Sequence, residues 1–435
     1  MKPLSAAVAG FILCLVATAF TGHHLLAPVE DQLIFLSLRD TAKARCDLVM
    51  PSIQVTAADV TTKGHFFRQT VGRTDLQGRY FRATVPLGHA TAFWEPGFVL
   101  WLVLLSWFSR TLLLVKLVNG MLVALGLYFL LKAVDTAQCS LPTPWLSVLT
   151  AAAPATIYFA QKAMAESLFF ALLCLCLYLL RRNKYACLLG ACLGLAALVK
   201  MQILIVFFPL LVVFWRAQGL KKLMLVCLGL CLVLLPWVAR NYLIFDQMVL
   251  FPTKSAVTLW ARNNPLFLYP DAGQGDALAR LLRRRAEKNR AVFLFPQLSS
   301  HREPDRAREI RRAFLRYVMR DPLLFSAMVA KRISLLFEIP GLPPAGLAVS
   351  PLLFILFVYL GVQGYREDRL PYMHLLVLCF LLFSALVNAD TRFRAPYEPL
   401  LILVALCYIW RKRSLGFRGA EQGQAGKIPG RVHEV

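Results

Sequence analysis

Apolar residues fill eleven long segments of this chain, and polar stretches of very unequal length separate them. A run of roughly 15–20 apolar residues is long enough to cross a bilayer as a helix. The segments are Leu4–Phe20, Pro96–Phe108, Thr111–Leu131, Pro144–Ala160, Met164–Leu180, Tyr185–Val199, Met201–Trp215, Leu223–Val238, Leu347–Val362, Leu370–Ala389 and Pro396–Trp410. The pattern predicts an all-α fold, a polytopic transmembrane helical bundle of about 10–11 spans.

Composition agrees with this prediction. Hydrophobic residues make up 58% of the chain and charged residues only 17%, whereas about a quarter of a soluble protein is charged. The first segment also has features of a signal peptide, because Lys2 precedes an apolar core that ends near Ala17 and Ala19. Ten further segments anchor the chain, so we expect this first one to be an uncleaved span.

The distribution of basic residues predicts the orientation. Short connectors rich in Lys and Arg face the cytoplasm, and four such clusters occur at 181–184, 216–222, 366–369 and 411–413. The two long polar segments, 21–95 and 246–346, then lie together on the non-cytoplasmic side. We therefore expect a membrane domain over residues 1–410 and a basic cytoplasmic tail over 411–435.

One of the eleven segments should fail to cross, since an odd number of crossings cannot leave both termini in the cytoplasm. Pro96–Phe108 is short for a crossing, and Pro144–Ala160 contains Pro154. Either one could be the exception.

The second long loop is basic, with 15 Lys and Arg against 8 Asp and Glu over residues 246–322. Loops longer than about 60 residues cross the membrane regardless of their charge, so this surplus does not contradict the orientation. Residues 277–290 and 302–320 are predicted to be interfacial helices that rest on lipid headgroups. Nucleic acid is not an expected partner, because no RNA- or DNA-binding signature accompanies the basic residues.

A Glu-Asp pair, Glu30 and Asp31, opens the first polar loop ten residues after the first apolar segment. Two adjacent carboxylates beside hydrocarbon are costly unless they face water, a metal or a substrate. They could act as a general base or hold a divalent metal that neutralises a phosphate. They could equally stabilise the start of a short surface helix. Glu95, directly before Pro96, is either a boundary residue or a third carboxylate of the same cavity.

Charged residues at the non-cytoplasmic ends of later segments are further candidates. Glu166 is either the acidic first residue of a helix or a site residue, and Lys200 either extends to the interface or pairs with a phosphate. Arg240 and Asn241 close the eighth apolar segment on the same face.

Arg392 and Arg394 lie between the last two apolar segments, in a connector with two prolines. They could be simple interface anchors. A guanidinium group can also bind phosphate with two parallel hydrogen bonds, and prolines reduce the entropy lost on binding, so the pattern also suggests an anion site.

Six stretches in this order resemble the GT-C superfamily of integral-membrane glycosyltransferases. The closest group is similar to bacterial relatives of dolichyl-phosphate-mannose-protein mannosyltransferases and of the lipid A aminoarabinose transferase. The stretches are PVEDQLIFL at 28–36, WEPGFVLWL at 94–102, AAAPATIYFAQKAMAESLFF at 151–170, GLAALVK at 194–200, LPWVARNYLIFDQMVL at 235–250 with ARNNP at 261–265, and RFRAPYEPLLILVAL at 392–406.

The resemblance implies transfer of a sugar from a polyprenyl-phosphate donor to a lipid, glycan or protein acceptor. Asp31 or Glu30 would be the base that deprotonates the acceptor, in a Glu-Asp order where the family often has Asp-Glu. The donor phosphate would be held by Arg392 or Arg394, with Lys200 and Arg240 as further ligands. Asn241 lies in the stretch that resembles the Arg-Asn element of the family pattern, and Asn264 lies in the stretch that resembles its Asn-x-Pro element.

The resemblance also implies a multi-pass protein of a bacterial inner (plasma) membrane, with its active site facing the periplasm or the exterior. Such transfer needs no nucleotide site, and a divalent metal is the one cofactor left open. The main alternative is a secondary transporter or a lipid-linked oligosaccharide flippase, against which stand the two long polar loops and the lack of an internal repeat. An inactive relative that serves as a scaffold is a third possibility.

Overall fold

The computed structural model describes residues 2–21, 36, 39–40, 42–43, 91–92, 95–109, 111–134, 153–265, 277–288, 302–336, 349–366, 371–387 and 394–408. Its helices are α1 (Lys2–Thr21), α2 (Pro96–Ser106), α3 (Leu112–Ala133), α4 (Pro154–Ala160), α5 (Glu166–Arg182), α6 (Ala186–Val199), α7 (Gln202–Gln218), α8 (Leu220–Phe245), α9 (Lys254–Ala261), α10 (Ala277–Lys288), α11 (Glu303–Arg320), α12 (Pro322–Leu335), α13 (Val349–Arg366), α14 (Pro371–Leu386) and α15 (Ala395–Tyr408). No strand occurs within these described ranges, which confirms the all-α prediction for this part of the chain.

Membrane-crossing capacity is clear for two helices of the described part. Leu112–Ala133 and Leu220–Phe245 are long and apolar enough to cross a bilayer. Seven shorter apolar helices of 10–17 residues accompany them, four of which lie at Pro96–Ser106, Ala186–Val199, Gln202–Gln218 and Ala395–Tyr408. The helical boundaries thus follow the apolar segments of the sequence, with α8 extending past its predicted segment at both ends.

The apolar helices pack on one another around a single large core. α1 packs on α3, α3 on α5, and α6 on both α5 and α8. The α6–α8 contact depends on glycine, since a Cβ added at Gly190 would lie 1.9 Å from the Val226 carbonyl oxygen and one at Gly229 would lie 2.0 Å from the Cys187 carbonyl oxygen. The absence of a side chain at both glycines lets the two helix backbones approach closely, as small residues do in membrane helix pairs.

Polar contacts show which helix ends meet. Arg181 Nη1 donates to the Ala133 carbonyl at 2.6 Å, so the end of α5 lies beside the end of α3. At the opposite end of the bundle, Lys200 after α6 pairs with Glu166 at the start of α5. These two ends are called the Arg181 end and the Lys200 end below.

The helix α2 begins and ends at the Lys200 end. A Cβ added at Gly97 would lie 2.8 Å from the Leu198 carbonyl, which places the start of α2 beside the end of α6. The start of α3 lies at the Lys200 end, because α3 finishes at the Arg181 end. Only five residues separate the end of α2 from this start, so the end of α2 lies there too. With 11 residues, α2 is about 16 Å long, too short for a hydrocarbon core of about 30 Å.

A second, smaller core joins α9, α10, α11 and α12. Trp260, Leu282, Ile310, Phe314 and Met328 are among its buried members. The helices predicted at 277–290 and 302–320 are confirmed as Ala277–Lys288 and Glu303–Arg320. The apolar face of α11 is buried in this core, so that face packs on protein. The helix also carries exposed arginines, and its contact with lipid headgroups stays a prediction.

Candidate functional site

The buried carboxylate of Glu303 joins three parts of the chain that are far apart in sequence. Its Oε1 accepts hydrogen bonds from the Ala92 N–H at 3.1 Å and from the Thr253 hydroxyl at 2.5 Å, and its Oε2 accepts one from the Thr91 hydroxyl at 2.9 Å. Burial raises the pKa of Glu303 above its usual value, although these three hydrogen bonds and the Arg240 charge oppose the shift. We call Glu303, Thr91, Ala92 and Thr253 the Glu303 clasp.

The Glu303 clasp holds Arg240 near the end of α8. Arg240 Nη1 donates to the Thr91 carbonyl and to Asn241 Oδ1, both at 2.9 Å, and the guanidinium lies 5.3 Å from the Trp237 ring. Asn241 is fully buried and donates from Nδ2 to the Val249 carbonyl at 3.0 Å. Two residues predicted as site candidates therefore share one polar network, and the loop after α8 is fixed by the same network.

An apolar cleft of about 460 Å³ opens beside Arg240. Its walls come from α2, α6 and α8, and the residues lining it are Ala42, Lys43, Pro96, Leu100, Val103, Trp107, Leu198, Val233, Pro236, Trp237 and Arg240. Leu100 and Trp107 are 50% and 66% exposed, so the cleft is open on its apolar side. The two cations of the lining, Lys43 and Arg240, belong to different elements, and Lys43 Nζ also lies 3.4 Å from the Ser106 hydroxyl. Such a cleft can take an acyl or prenyl chain along its apolar wall and an anion at its cationic side chains.

Lys200 and Glu166 form a buried ion pair. Lys200 Nζ lies 2.9 Å from Glu166 Oε1, and the two side chains are 7% and 2% exposed. Lys200 Nζ also lies 5.7 Å from the centre of the Phe169 ring. The sequence offered each residue separately as a candidate and did not predict that they pair. The pair ties α5 to the α6–α7 connection at the end of the bundle that also carries α2.

Arg394 is bound within the protein at the start of α15. Its Nη1 donates to the Leu336 carbonyl at 2.8 Å, and its Nη2 lies 3.5 Å from Glu398 Oε1. Glu398 Oε2 in turn accepts the Ala155 N–H at 2.7 Å, at the start of α4. These contacts fasten α15 to α4 and to the end of α12. They give Arg394 a structural function whatever else it binds.

The remaining predicted site residues divide into two groups. Glu30, Asp31 and Arg392 lie outside the described residues. Glu95 precedes α2 at its N-cap position without a capping hydrogen bond from its side chain, and Asn264 is buried just after α9. Within the described ranges, no group of three or more His, Cys, Asp and Glu residues is arranged to hold a metal ion.

Two central residues of the site were not among the sequence candidates. Glu303 stands between Arg302 and Pro304, and an acid before a helical proline has the ordinary appearance of a helix start, as Glu95 before Pro96 also has. Lys43 is one of several basic residues in the first polar loop. No local pattern distinguishes either residue, since their importance comes from contacts with distant parts of the chain.

Comparison with known proteins adds no relative. No protein family, curated protein or solved structure matches this chain.

Proposed function

We propose that this chain is a multi-pass membrane glycosyltransferase that moves a sugar from a polyprenyl-phosphate donor to a lipid, glycan or protein acceptor. The observation that carries the proposal is the cleft beside Arg240. It has an open apolar wall, which suits a lipid tail, and two cationic side chains, which suit the phosphate at the end of that tail. The order of motifs in the sequence supports the same reaction class.

In this proposal, Lys43 and Arg240 bind the donor phosphate. A sugar leaves a lipid phosphate only if the developing negative charge is stabilised, and a fixed guanidinium does this without reorganising. The Glu303 clasp and Asn241 hold Arg240 in place. Arg394 then contributes mainly to packing, because its Nη1 and Nη2 donors already face Leu336 and Glu398.

The acceptor hydroxyl needs a base, and Asp31 or Glu30 remains our candidate for it. A carboxylate within hydrogen-bond reach of the hydroxyl would take its proton as the bond to the sugar forms. A divalent metal at this pair is the alternative use of the two carboxylates.

The proposed topology puts the loops 21–95 and 246–346 on the side of the Lys200 end and the Arg181 end in the cytoplasm. α2 is then the apolar segment that does not cross, which leaves ten crossings and both termini inside. Cysteine substitutions at Ser52 and Ser299 test this arrangement in intact cells. An impermeant thiol reagent should label both, and labelling of only one would contradict a common active face.

Radiolabelled sugar transfer from a panel of synthetic polyprenyl-phosphate sugars tests the function directly, with the full chain in lipid nanodiscs. We expect Arg240→Lys to lower transfer by about ten- to a hundredfold, because the loss of one charge-assisted hydrogen bond costs about 1.5–3 kcal/mol. Lys43→Glu, an exposed position, should also lower transfer without affecting folding. Arg216→Lys, an exposed arginine near the opposite end of the bundle, is the matched control and should leave the rate unchanged.

The loss should appear in the dependence on donor concentration and not in that on the acceptor. Protein that transfers no sugar from any donor of the panel, yet moves a lipid or a solute across liposomes, would refute the transferase and favour the transporter or flippase.

A further inference from the structure

A second cavity, of about 650 Å³, lies between the segment that follows α8 and the first turns of α11. Ala307, Arg308 and Arg311 line it from α11, where their spacing of three and four residues puts them on one helix face. Gln247, Phe251 and Thr253 are among the residues that line it from the opposite segment. None of these side chains was singled out by the sequence.

The two arginines of this cavity differ in whether an acidic side chain neutralises their charge. Arg308 is paired with Asp305 and donates to Gln247 Oε1 at 3.0 Å. Arg311, which is half-buried, makes no hydrogen bond or ion pair with any residue of the described ranges. Burial lowers the pKa of Arg311, and the neighbouring Arg308 charge lowers it further. A second positive charge beside a desolvated guanidinium is unfavourable, and an anion bound between the two would relieve both costs.

The rest of the lining suits a sugar. Ser255 provides a hydroxyl group, and the Thr253 hydroxyl, which donates to Glu303, can still accept a hydrogen bond. The Gln247 amide is bound to Asp305 and Arg308 and forms part of the polar wall. Phe251, 43% exposed, offers an aromatic surface beside them. Ligand sites of this size commonly combine apolar walls with a few convergent polar groups that fix orientation.

The cavity also adjoins the proposed donor cleft. Thr253 belongs to the Glu303 clasp, whose Thr91 carbonyl receives a hydrogen bond from Arg240. Val249, another lining residue, is bound through its carbonyl to Asn241. The two spaces are therefore on either side of one polar network, as donor and acceptor sites of a transferase need to be.

We propose that this second cavity binds the head of the acceptor, a phosphorylated sugar unit, with Arg311 as the ligand of its phosphate. The role of this ligand as the acceptor rests on the proposed function, whereas the binding of a sugar phosphate rests on the cavity alone. The chemistry is the same for the head of a glycolipid and for a phosphorylated glycan.

Binding of hexose 1-phosphate to the full chain in zwitterionic nanodiscs tests the site. We expect Arg311→Ala to weaken binding by about tenfold or more, because hydrogen bonds to charged groups are stronger than those between neutral groups. Arg312→Ala, which removes an exposed arginine of the same helix, should leave the affinity within about twofold of wild type. The uncharged methyl hexoside should bind more weakly than the phosphate.

Several results would overturn the inference. Failure of the wild-type protein to bind hexose 1-phosphate would overturn it. An equal loss of affinity in Arg311→Ala and Arg312→Ala would do the same, because a general basic surface gives that result. Binding of the protein to vesicles of anionic and of zwitterionic lipid measures that general attraction. If both variants bound anionic vesicles equally weakly while neither lost affinity for hexose 1-phosphate, that result would also count against the site. Failure of the proposed function is a separate result, since sugar transfer can be absent while Arg311-dependent binding persists.

Discussion

The Glu303 clasp leads to a prediction that separates hydrogen bonding from charge. Glu303→Ala removes the acceptor of three hydrogen bonds. The two threonine hydroxyls can rotate toward other partners, but the Ala92 N–H cannot. A buried donor without a partner costs about 1–3 kcal/mol, and the cavity left by the side chain adds to this, so we expect a loss of about 2–5 kcal/mol in the free energy of unfolding.

Glu303→Gln should behave differently. The amide oxygen can keep the bonds from Ala92 and Thr253, and the amide nitrogen can donate to the Thr91 hydroxyl once that hydroxyl turns. The substitution also removes a charge that burial disfavours. Its free energy of unfolding at pH 7 should therefore stay within about 1 kcal/mol of wild type.

The pH dependence has a definite sign. The folded pKa of Glu303 is raised above the unfolded value, so the folded state binds a proton more readily. The stability that this protonation adds is complete below the unfolded pKa and is lost as pH rises through the folded pKa. Wild type should gain stability relative to Glu303→Gln when the pH is lowered from 7 through that interval.

Chemical unfolding of the detergent-solubilised full chain measures both effects, followed by tryptophan fluorescence at a series of pH values. Glu287→Ala is the control, because the pair that Glu287 makes within the described part of the chain is an exposed one with Arg283, and such pairs contribute about 0–1 kcal/mol. If Glu303→Gln were as damaging as Glu303→Ala, or if wild type lost stability against it on acidification, the account of the clasp would be wrong.

Three further predictions concern other parts of the chain. Asp31→Asn should lower sugar transfer by about 10²–10⁴-fold, the usual contribution of a general base, while expression and the unfolding midpoint stay unchanged; near wild-type turnover would instead favour the helix-start function. Lys200→Met should destabilise the fold by about 3–5 kcal/mol by leaving Glu166 buried without its partner, and the double variant Lys200→Met/Glu166→Gln should recover much of the loss in the same unfolding assay. Asp321→Ala should lower the free energy of unfolding by about 0.5–2 kcal/mol through loss of the α12 cap. The hydrogen bond from Arg285 is the main cause that lowers the pKa of Asp321. The ionised side chain should therefore stabilise the fold above the unfolded pKa, and this contribution should disappear as pH falls through the folded pKa.

The sequence by itself determined where most of the described helices lie. Most apolar runs and the two basic segments of the second loop correspond to observed helices within a few residues, for example 302–320 against Glu303–Arg320. The run Pro144–Ala160 is matched only by α4, because its first part lies outside the described residues, and α9 and α12 had no predicted counterpart. Helices are predictable in this way because their backbone hydrogen bonds close over four residues and their buried faces repeat along the chain. The sequence also identified Arg240, Asn241, Glu166 and Lys200 as polar residues worth locating.

Only the tertiary structure decided what those polar residues contact. Glu303 and its partner Thr91 are 212 positions apart, and Arg394 meets the Leu336 carbonyl across 58. A carboxylate or guanidinium beside apolar sequence must find a partner, but local sequence does not say whether that partner is a distant side chain, a carbonyl or a ligand. Tertiary packing determines which kind of partner is found. It also brings Lys43 and Arg240 to one cleft and leaves Arg311 facing a cavity.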